Sequence, residues 1–181
     1  MIVVVQYGET EAASEKVLIG QAHSPLTLAG EELAHQYAEA LSGMVFDYGF
    51  APPSLVAEHT AEIILRGREL LSLTTVRELA EPSAGDYEGR SYAELKRALP
   101  PRQYRLWDRD FFVAPPSGES LRDVTDRVQR WFKAANLIEA QNHLFVVGPQ
   151  VMKILLGLFQ KLDEADICAL EPLRLPYTFD L

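Results

Sequence analysis

The chain begins with four consecutive β-branched residues, Ile2 to Val5, and Gln6 and Tyr7 separate this run from Gly8. Such a run favours a β-strand that is buried on both faces, as the central strands of a parallel sheet are. Gly8 allows the backbone to turn sharply as it leaves the sheet. Open α/β sheets build their sites outside the carboxyl ends of their strands, so we expect a functional site at Gln6 and Tyr7.

Further strand patterns alternate with helical patterns along the rest of the sequence. Helix starts are predicted at Thr27, Ser54, Ser91 and Ser120, because each of these residues can cap an apolar repeat of helical spacing. The further strands are predicted at residues 45–50, 74–79, 144–147 and 173–179, and residues 10–22 are predicted to form a loop over the end of the first strand. This order predicts one domain over residues 1–181, a three-layer α/β/α sandwich with a mostly parallel central sheet.

The composition excludes several classes of binding partner and cofactor. The 181 residues carry a formal net charge of −9, which argues against nucleic acid or an anionic membrane as a partner. Cys168 is the single cysteine, so no disulfide forms within the chain, and no Cys/His cluster has the spacing of metal ligands. We therefore expect no metal and no cofactor. The sequence shows neither a signal peptide nor an apolar run long enough to span a membrane, so a cytoplasmic location is expected.

Several short motifs occur in a characteristic order. They are Gln6-Tyr7-Gly8-Glu9-Thr10-Glu11, Gly20-Gln21, Ser24-Pro25-Leu26-Thr27, Glu88-Gly89-Arg90-Ser91 and Ser117-Gly118-Glu119-Ser120-Leu121. Together they resemble the histidine phosphatase superfamily, which has the phosphoglycerate-mutase-like fold, over nearly the whole chain. The resemblance implies that fold, and it implies phosphoryl transfer through a phosphohistidine without a metal.

The chain departs from the family pattern at the positions that bind phosphate. The first strand of the family ends Arg-His-Gly-Glu, whereas this chain has Gln6 and Tyr7 before Gly8. Aligning the second-strand motif through Ala57 and Thr60 puts Val56 where the family has a phosphate-gripping arginine. A second phosphate-binding histidine is replaced by Gly148. Polar residues that often line the loop after the nucleophile are replaced by Ala13 and Ile19.

The resemblance leaves one acidic residue in place, Glu81, in the role of the proton donor to the leaving group. A solvated or capping carboxylate is the alternative interpretation of Glu81 in so acidic a chain. Phosphoryl transfer depends on positioning and on stabilising the charge of the equatorial oxygens, and the cationic groups that would do so are replaced here. Tyr7 is a poor substitute nucleophile, because at a reference pKa near 10 only about 0.1% of a tyrosine is ionised at pH 7.

We therefore expect a catalytically inactive member of the family, a pseudophosphatase with a binding or regulatory role. Its partner would be a second copy of itself or an active relative. Two alternatives remain open: a phosphomonoesterase or phosphoglycerate-mutase-type enzyme that acts on small phosphate esters through a rearranged site, and a binder of an uncharged small molecule. Outside the site, Arg122, Arg127 and Arg130 alternate with Asp123 and Asp126, which predicts an exposed helix face. Cys168 is predicted to be a small buried hydrophobe.

Overall fold

A computed structural model describes residues 1–68 and 72–180, and the side chains of residues 106, 108 and 109 are also outside the description. The strands are β1 (Ile2–Gln6), β2 (Val17–Leu18), β3 (Tyr48–Ala51), β4 (Ser72–Thr75), β5 (Arg90–Ser91), β6 (His143–Val147) and β7 (Tyr177–Phe179). The helices are α1 (Glu11–Ser14), α2 (Leu28–Ala40), α3 (Leu55–Leu65), α4 (Tyr92–Ala98), α5 (Pro101–Arg109), α6 (Leu121–Ala134), α7 (Pro149–Gln160) and α8 (Glu164–Ala169), and short 3-10 helices span Arg77–Leu79 and Gly85–Tyr87.

The main sheet has the strand order β4-β3-β6-β1-β7. The pairs β4–β3, β3–β6 and β6–β1 are parallel, and only β7 runs antiparallel, against β1. The prediction of a mostly parallel α/β sheet is therefore confirmed. Strand β1 lies between two partners, which agrees with the apolar run that opens the sequence.

Alternate residues of β1 point into two separate apolar cores. Val3 and Val5 pack with residues of α2 and α3, such as Leu33 and Ile64, on one face of the sheet. Ile2 and Val4 pack on the other face with side chains of α6 and α7. Helices therefore cover both faces of the sheet, and the β-branched residues of β1 belong to both cores.

Three of the four predicted helix caps are formed. The Thr27 side chain accepts a hydrogen bond from the Gly30 amide at 3.1 Å, and Ser91 and Ser120 each form a capping box with the residue three positions on. Ser54 also precedes its helix, but its side chain accepts no amide hydrogen bond.

Element boundaries differ from the prediction where short polar segments interrupt the apolar pattern. Residues 10–22 contain α1 and β2 as well as loop, because the Thr10 side chain caps α1 through the Ala13 amide at 3.1 Å. Residues 74–79 divide between the end of β4 and a 3-10 helix, and the final strand is confined to β7. Within the described residues, every helix is too short or too polar to cross a bilayer.

Candidate functional site

A cavity of about 490 Å³ opens where β1 and β6 end. Five residues predicted at the site line it, namely Gln6, Tyr7, Ala13, Ile19 and Glu81. Gly148 lies beneath it, immediately before the lining residue Pro149. The cavity therefore lies at the carboxyl ends of the strands, where the sequence pattern places the site.

Val56 lies away from the cavity. It belongs to α3, its side chain is buried, and it is not among the described residues that line the opening. Its carbonyl accepts a hydrogen bond from the Thr60 hydroxyl at 2.8 Å within the same helix. The position that the resemblance assigns to a phosphate-gripping arginine is thus part of the packing of α3.

The register of the sheet fixes the direction of the chain at Tyr7. Gln6 pairs with Val147, and the Tyr7 amide donates to the Val147 carbonyl at 2.9 Å. Gly8 then passes so close to the start of α2 that a Cβ atom would lie 2.2 Å from the Gly30 carbonyl oxygen. A glycine is therefore required at residue 8 for close approach of the two backbones.

The Glu81 carboxylate lies at the beginning of α7 and caps that helix. Its oxygens accept hydrogen bonds from the Gln150 amide at 3.1 and 3.2 Å and from the Val151 amide at 3.0 Å. A Cβ atom on Gly148 would lie 2.4 Å from Glu81 Cδ, so the glycine makes room for the carboxylate. Desolvation raises the pKa of Glu81 to about 7, against the opposing effect of the two amides and the Arg127 charge.

Tyr7 lies on the same cavity floor. Burial raises the pKa of its hydroxyl well above the ordinary value near 10, and the Glu81 charge raises it further. The chain has four histidines, and none of them is among the described residues that line the cavity. His143 occupies the opposite end of β6, where its Nε2 lies 3.1 Å from the Ile138 carbonyl oxygen.

Arg127 holds the segment that carries Glu81. Its guanidinium donates to Glu119 Oε1 at 2.9 Å, to the Ala80 carbonyl at 2.7 Å and to the Glu81 carbonyl at 3.3 Å. Gln21 Nε2 also donates to the Glu81 carbonyl, at 2.9 Å. The prediction that Arg127 lies on an exposed face is wrong, because only 14% of its side chain is exposed. The Glu119 carboxylate balances its charge and the carbonyls accept its N–H groups, which makes burial of this cation possible.

Two cations at the cavity were missed in the sequence. Lys153 is one turn into α7, where its Nζ donates to the Cys168 carbonyl at 3.3 Å, and Arg174 comes from the segment before β7. The helical pattern with Lys153 four residues after Pro149 could have shown that Lys153 faces the same end of the sheet. Arg174 follows no periodic pattern, so only the tertiary fold places it. The lining also includes the acidic residues Glu9, Asp110 and Glu119.

An aromatic wall closes one side of the cavity. Trp107 and Tyr92 line it with their rings stacked at a centroid distance of 6.1 Å, and Tyr87 meets Trp107 edge to face at 5.2 Å. Cys168 also lines the cavity and is half-buried, so the prediction of a buried cysteine is wrong. Among the described residues, no group of three or more His, Cys, Asp or Glu side chains is placed to hold a metal ion.

A mostly parallel α/β sandwich whose first strand ends at the cavity agrees with the phosphoglycerate-mutase-like class of folds. The model of the histidine phosphatase superfamily, branch 1, matches residues 2–174, and the chain belongs to that family.

Relatives of known name agree with this assignment. The chain is 30% identical over 156 residues to the adenosylcobalamin/alpha-ribazole phosphatase of Escherichia coli K12. This alignment covers 85% of this chain and 76% of the relative. It is 25% identical, over an alignment of 189 residues, to the 2,3-bisphosphoglycerate-dependent phosphoglycerate mutase of Bartonella henselae. The alignment covers 99% of this chain and 92% of the relative.

Solved structures show the same fold. The alpha-ribazole phosphatase of Shigella flexneri superimposes with a TM-score of 0.82 at 27% identity, over 92% of this chain and 82% of that one. YhfR of Bacillus stearothermophilus superimposes with a TM-score of 0.83 at 26% identity, over the same shares of the two chains.

Proposed function

We propose that this chain is a pseudophosphatase, a member of the histidine phosphatase superfamily that binds a ligand or partner and transfers no phosphoryl group. The observation that carries the proposal is the position of Tyr7 at the end of β1, on the floor of the cavity. A tyrosine that burial and Glu81 hold in its neutral form is a weak nucleophile. No imidazole among the described lining residues stands near it to take over that role.

The electrostatics of the cavity support the same proposal. Phosphoryl transfer needs several cations or preorganised donors around the transferred group. Here the Glu81 carboxylate accepts the hydrogen bonds of the amides at the beginning of α7, and the nearby Arg127 forms an ion pair with Glu119. The remaining cations of the lining, Lys153 and Arg174, lie among several carboxylates.

The decisive experiment is a turnover assay on purified protein. The substrates are alpha-ribazole 5′-phosphate and phosphoglycerate, which the names of the relatives indicate, together with p-nitrophenyl phosphate as a generic ester. We expect no release of phosphate above background. Turnover that is lost in Tyr7→Phe, which removes only the hydroxyl, or in Glu81→Ala would overturn the proposal.

A second candidate function is a phosphomonoesterase with a rearranged site. The observation in its favour is the pKa of Glu81, which burial raises to about 7, into the range that suits a general acid near neutral pH. In this alternative Glu81 protonates the leaving oxygen. A rate that follows the titration of Glu81, and that Glu81→Gln abolishes, would support it.

The binding or regulatory role is tested by identifying the chains that associate with the protein. We expect purification from its native host to recover a stoichiometric second chain of the same family, or light scattering to show a dimer of the chain itself. A strictly monomeric protein without such a companion would contradict a role through protein partners, and a small-molecule role would then remain.

A further inference from the structure

The first turn of α7 presents backbone amides to the cavity floor, and an anion already occupies them. The first amides of a helix lack partners within the helix, and together with the helix dipole they attract negative charge. In this chain the occupant is the Glu81 carboxylate, which receives the Gln150 and Val151 amides at 3.0 to 3.2 Å. The anion is therefore supplied from within the molecule.

We propose that Glu81 sets the charge preference of the cavity: its carboxylate fills the amide positions at the start of α7, so the cavity rejects oxyanions and admits uncharged ligands. The inference rests on the proposed binding function, because it concerns the same cavity. It is tested by affinity, not by turnover.

The fold holds the carboxylate in this position from two sides. Gln21 and Arg127 both donate to the Glu81 carbonyl, which fixes the backbone from which the side chain extends. Gly148 leaves the space that the carboxylate fills, since even a methyl group there would lie 2.4 Å from Glu81 Cδ. An external oxyanion therefore meets both a filled position and a negative charge.

The rest of the floor offers neutral hydrogen-bonding groups. The side chains of Gln6, Tyr7 and Gln150 line the cavity and form no hydrogen bond with another described residue. A phenol and two amides suit hydroxyl, carbonyl or amide groups of a ligand without net charge. They are available to a ligand, whereas the α7 amides are not.

The same arrangement makes the preference depend on pH. Because burial raises the pKa of Glu81 to about 7, the carboxylate becomes a neutral acid as the pH falls from 8 to 6. Of the groups next to it, Tyr7 stays neutral over this range, and the Arg127 guanidinium opposes the effect of burial on Glu81. The other charged groups that line the cavity are Glu9 after β1, Asp110 after α5, Glu119 before α6, Lys153 on α7 and Arg174 before β7. Loss of the Glu81 charge therefore removes the repulsion of an external anion and weakens the hydrogen bonds that Glu81 accepts, so that the anion can compete for the amides.

Sulfate is the probe, because it remains a dianion from pH 6 to pH 8. Its dissociation constant is measured by titration calorimetry at constant ionic strength for the wild type, Glu81→Ala and Glu81→Gln. At pH 8 we expect Glu81→Ala to bind sulfate at least tenfold more tightly than the wild type. The wild type should gain affinity between pH 8 and pH 6, and Glu81→Gln, which has no proton to gain, should lack that dependence.

Asp86→Asn is the matched control. It removes one negative charge from the 3-10 helix Gly85–Tyr87, which follows Glu81 in the chain. Asp86 is exposed and is not among the described residues that line the cavity. This variant should keep the sulfate affinity and the pH dependence of the wild type. An effect equal to that of Glu81→Gln would mean that net charge alone governs binding, which would overturn the inference.

Two further results would contradict the role of Glu81. One is a folded Glu81→Ala protein that binds sulfate no better than the wild type at pH 8, and the other is a Glu81→Gln protein that keeps the wild-type pH dependence. If Glu81→Ala does not fold, the pH dependence in Glu81→Gln decides. Tight sulfate binding by the wild type at pH 8 without any turnover would refute this inference alone, whereas turnover of phosphate esters would refute the proposed function.

Discussion

Tyr7 and Glu81 share the cavity floor so closely that the carboxylate charge raises the pKa of the phenol. The two groups reach it from different parts of the sequence, Tyr7 from the end of β1 and Glu81 from the segment after the 3-10 helix Arg77–Leu79. The Glu81 charge disfavours ionisation of the Tyr7 hydroxyl, since two adjacent negative charges repel. The floor thus keeps a neutral phenol beside an acid that ionises near pH 7.

The first prediction concerns stability as a function of pH. Folding raises the pKa of Glu81 from its ordinary value near 4.5 to about 7, so the folded state binds this proton more tightly than the unfolded chain. The free energy of unfolding therefore falls as the pH rises through this window, by on the order of 2–3 kcal/mol from this one group. Below about pH 4.5 both states are protonated, and the loss is absent.

Urea unfolding of the wild type and Glu81→Gln at pH 5 and pH 8 measures this effect. The two proteins differ only at residue 81, so the difference between them isolates Glu81 and whatever depends on its charge. We expect the wild type to lose stability relative to Glu81→Gln as the pH rises. A constant difference between the two proteins would contradict the raised pKa.

The second prediction compares two glycines of the site. An added methyl group on Gly8 meets the Gly30 backbone, with 2.2 Å to its carbonyl oxygen, whereas on Gly148 it meets the movable end of the Glu81 side chain. We expect Gly8→Ala to destabilise the protein by about 3 kcal/mol or more and Gly148→Ala by about 1–2 kcal/mol. Thermal unfolding measures both, and equal losses would argue against the close approach of β1 and α2.

The third prediction concerns Arg127. Its removal leaves the half-buried Glu119 carboxylate without its cation and the Ala80 carbonyl without the Arg127 donor, and the Glu81 carbonyl keeps only Gln21. We expect Arg127→Ala to lower the free energy of unfolding by about 2–3 kcal/mol. Arg122→Ala is the control on the same helix, because its ion pair with Asp126 is about half exposed and contributes less than about 1 kcal/mol. Similar losses in denaturant titrations of the two variants would count against a special role of Arg127.

The fourth prediction concerns Tyr7→His. An imidazole at this position supplies the nucleophile that the resemblance predicts there but leaves Gln6, Val56 and Gly148 unchanged. Because a nucleophile without cations does not stabilise the transferred phosphoryl group, we expect phosphatase activity to stay at background. A clear gain of activity from this single substitution would show that Lys153, Arg174 or the α7 amides already supply the needed charge.

Much of the fold could be predicted because it depends on local patterns. The apolar run of β1, the run at β6 and the caps at Thr27, Ser91 and Ser120 are signals that short segments carry by themselves. The edge strands were predicted less well. All four residues of β4, Ser-Leu-Thr-Thr, are exposed, so the strand has no buried apolar face that would give it a pattern. Strand β7 has only three residues and depends on pairing with β1.

The site was predictable where strand ends determine it and unpredictable where distant segments meet. Gln6 ends β1 and Tyr7 follows it directly, so the sequence alone places them. The contact of Glu81 with the Gln150 and Val151 amides joins residues far apart in the chain, and no local pattern encodes it. Arg127 was mistaken for a surface residue because its pairing with Glu119 is visible only after α6 packs against the segment that carries Glu81.

The interior position of β1 in the sheet, between β6 and β7, also has a consequence for biosynthesis. Strand β1 is made before residues 143–147 and 177–179, with which it pairs, so it remains without these sheet partners until they too have been made. Long-range pairing of this kind slows folding, and an unpaired apolar strand is prone to aggregate in the meantime. Production of this protein should therefore respond strongly to lower growth temperature and to chaperones that hold extended segments.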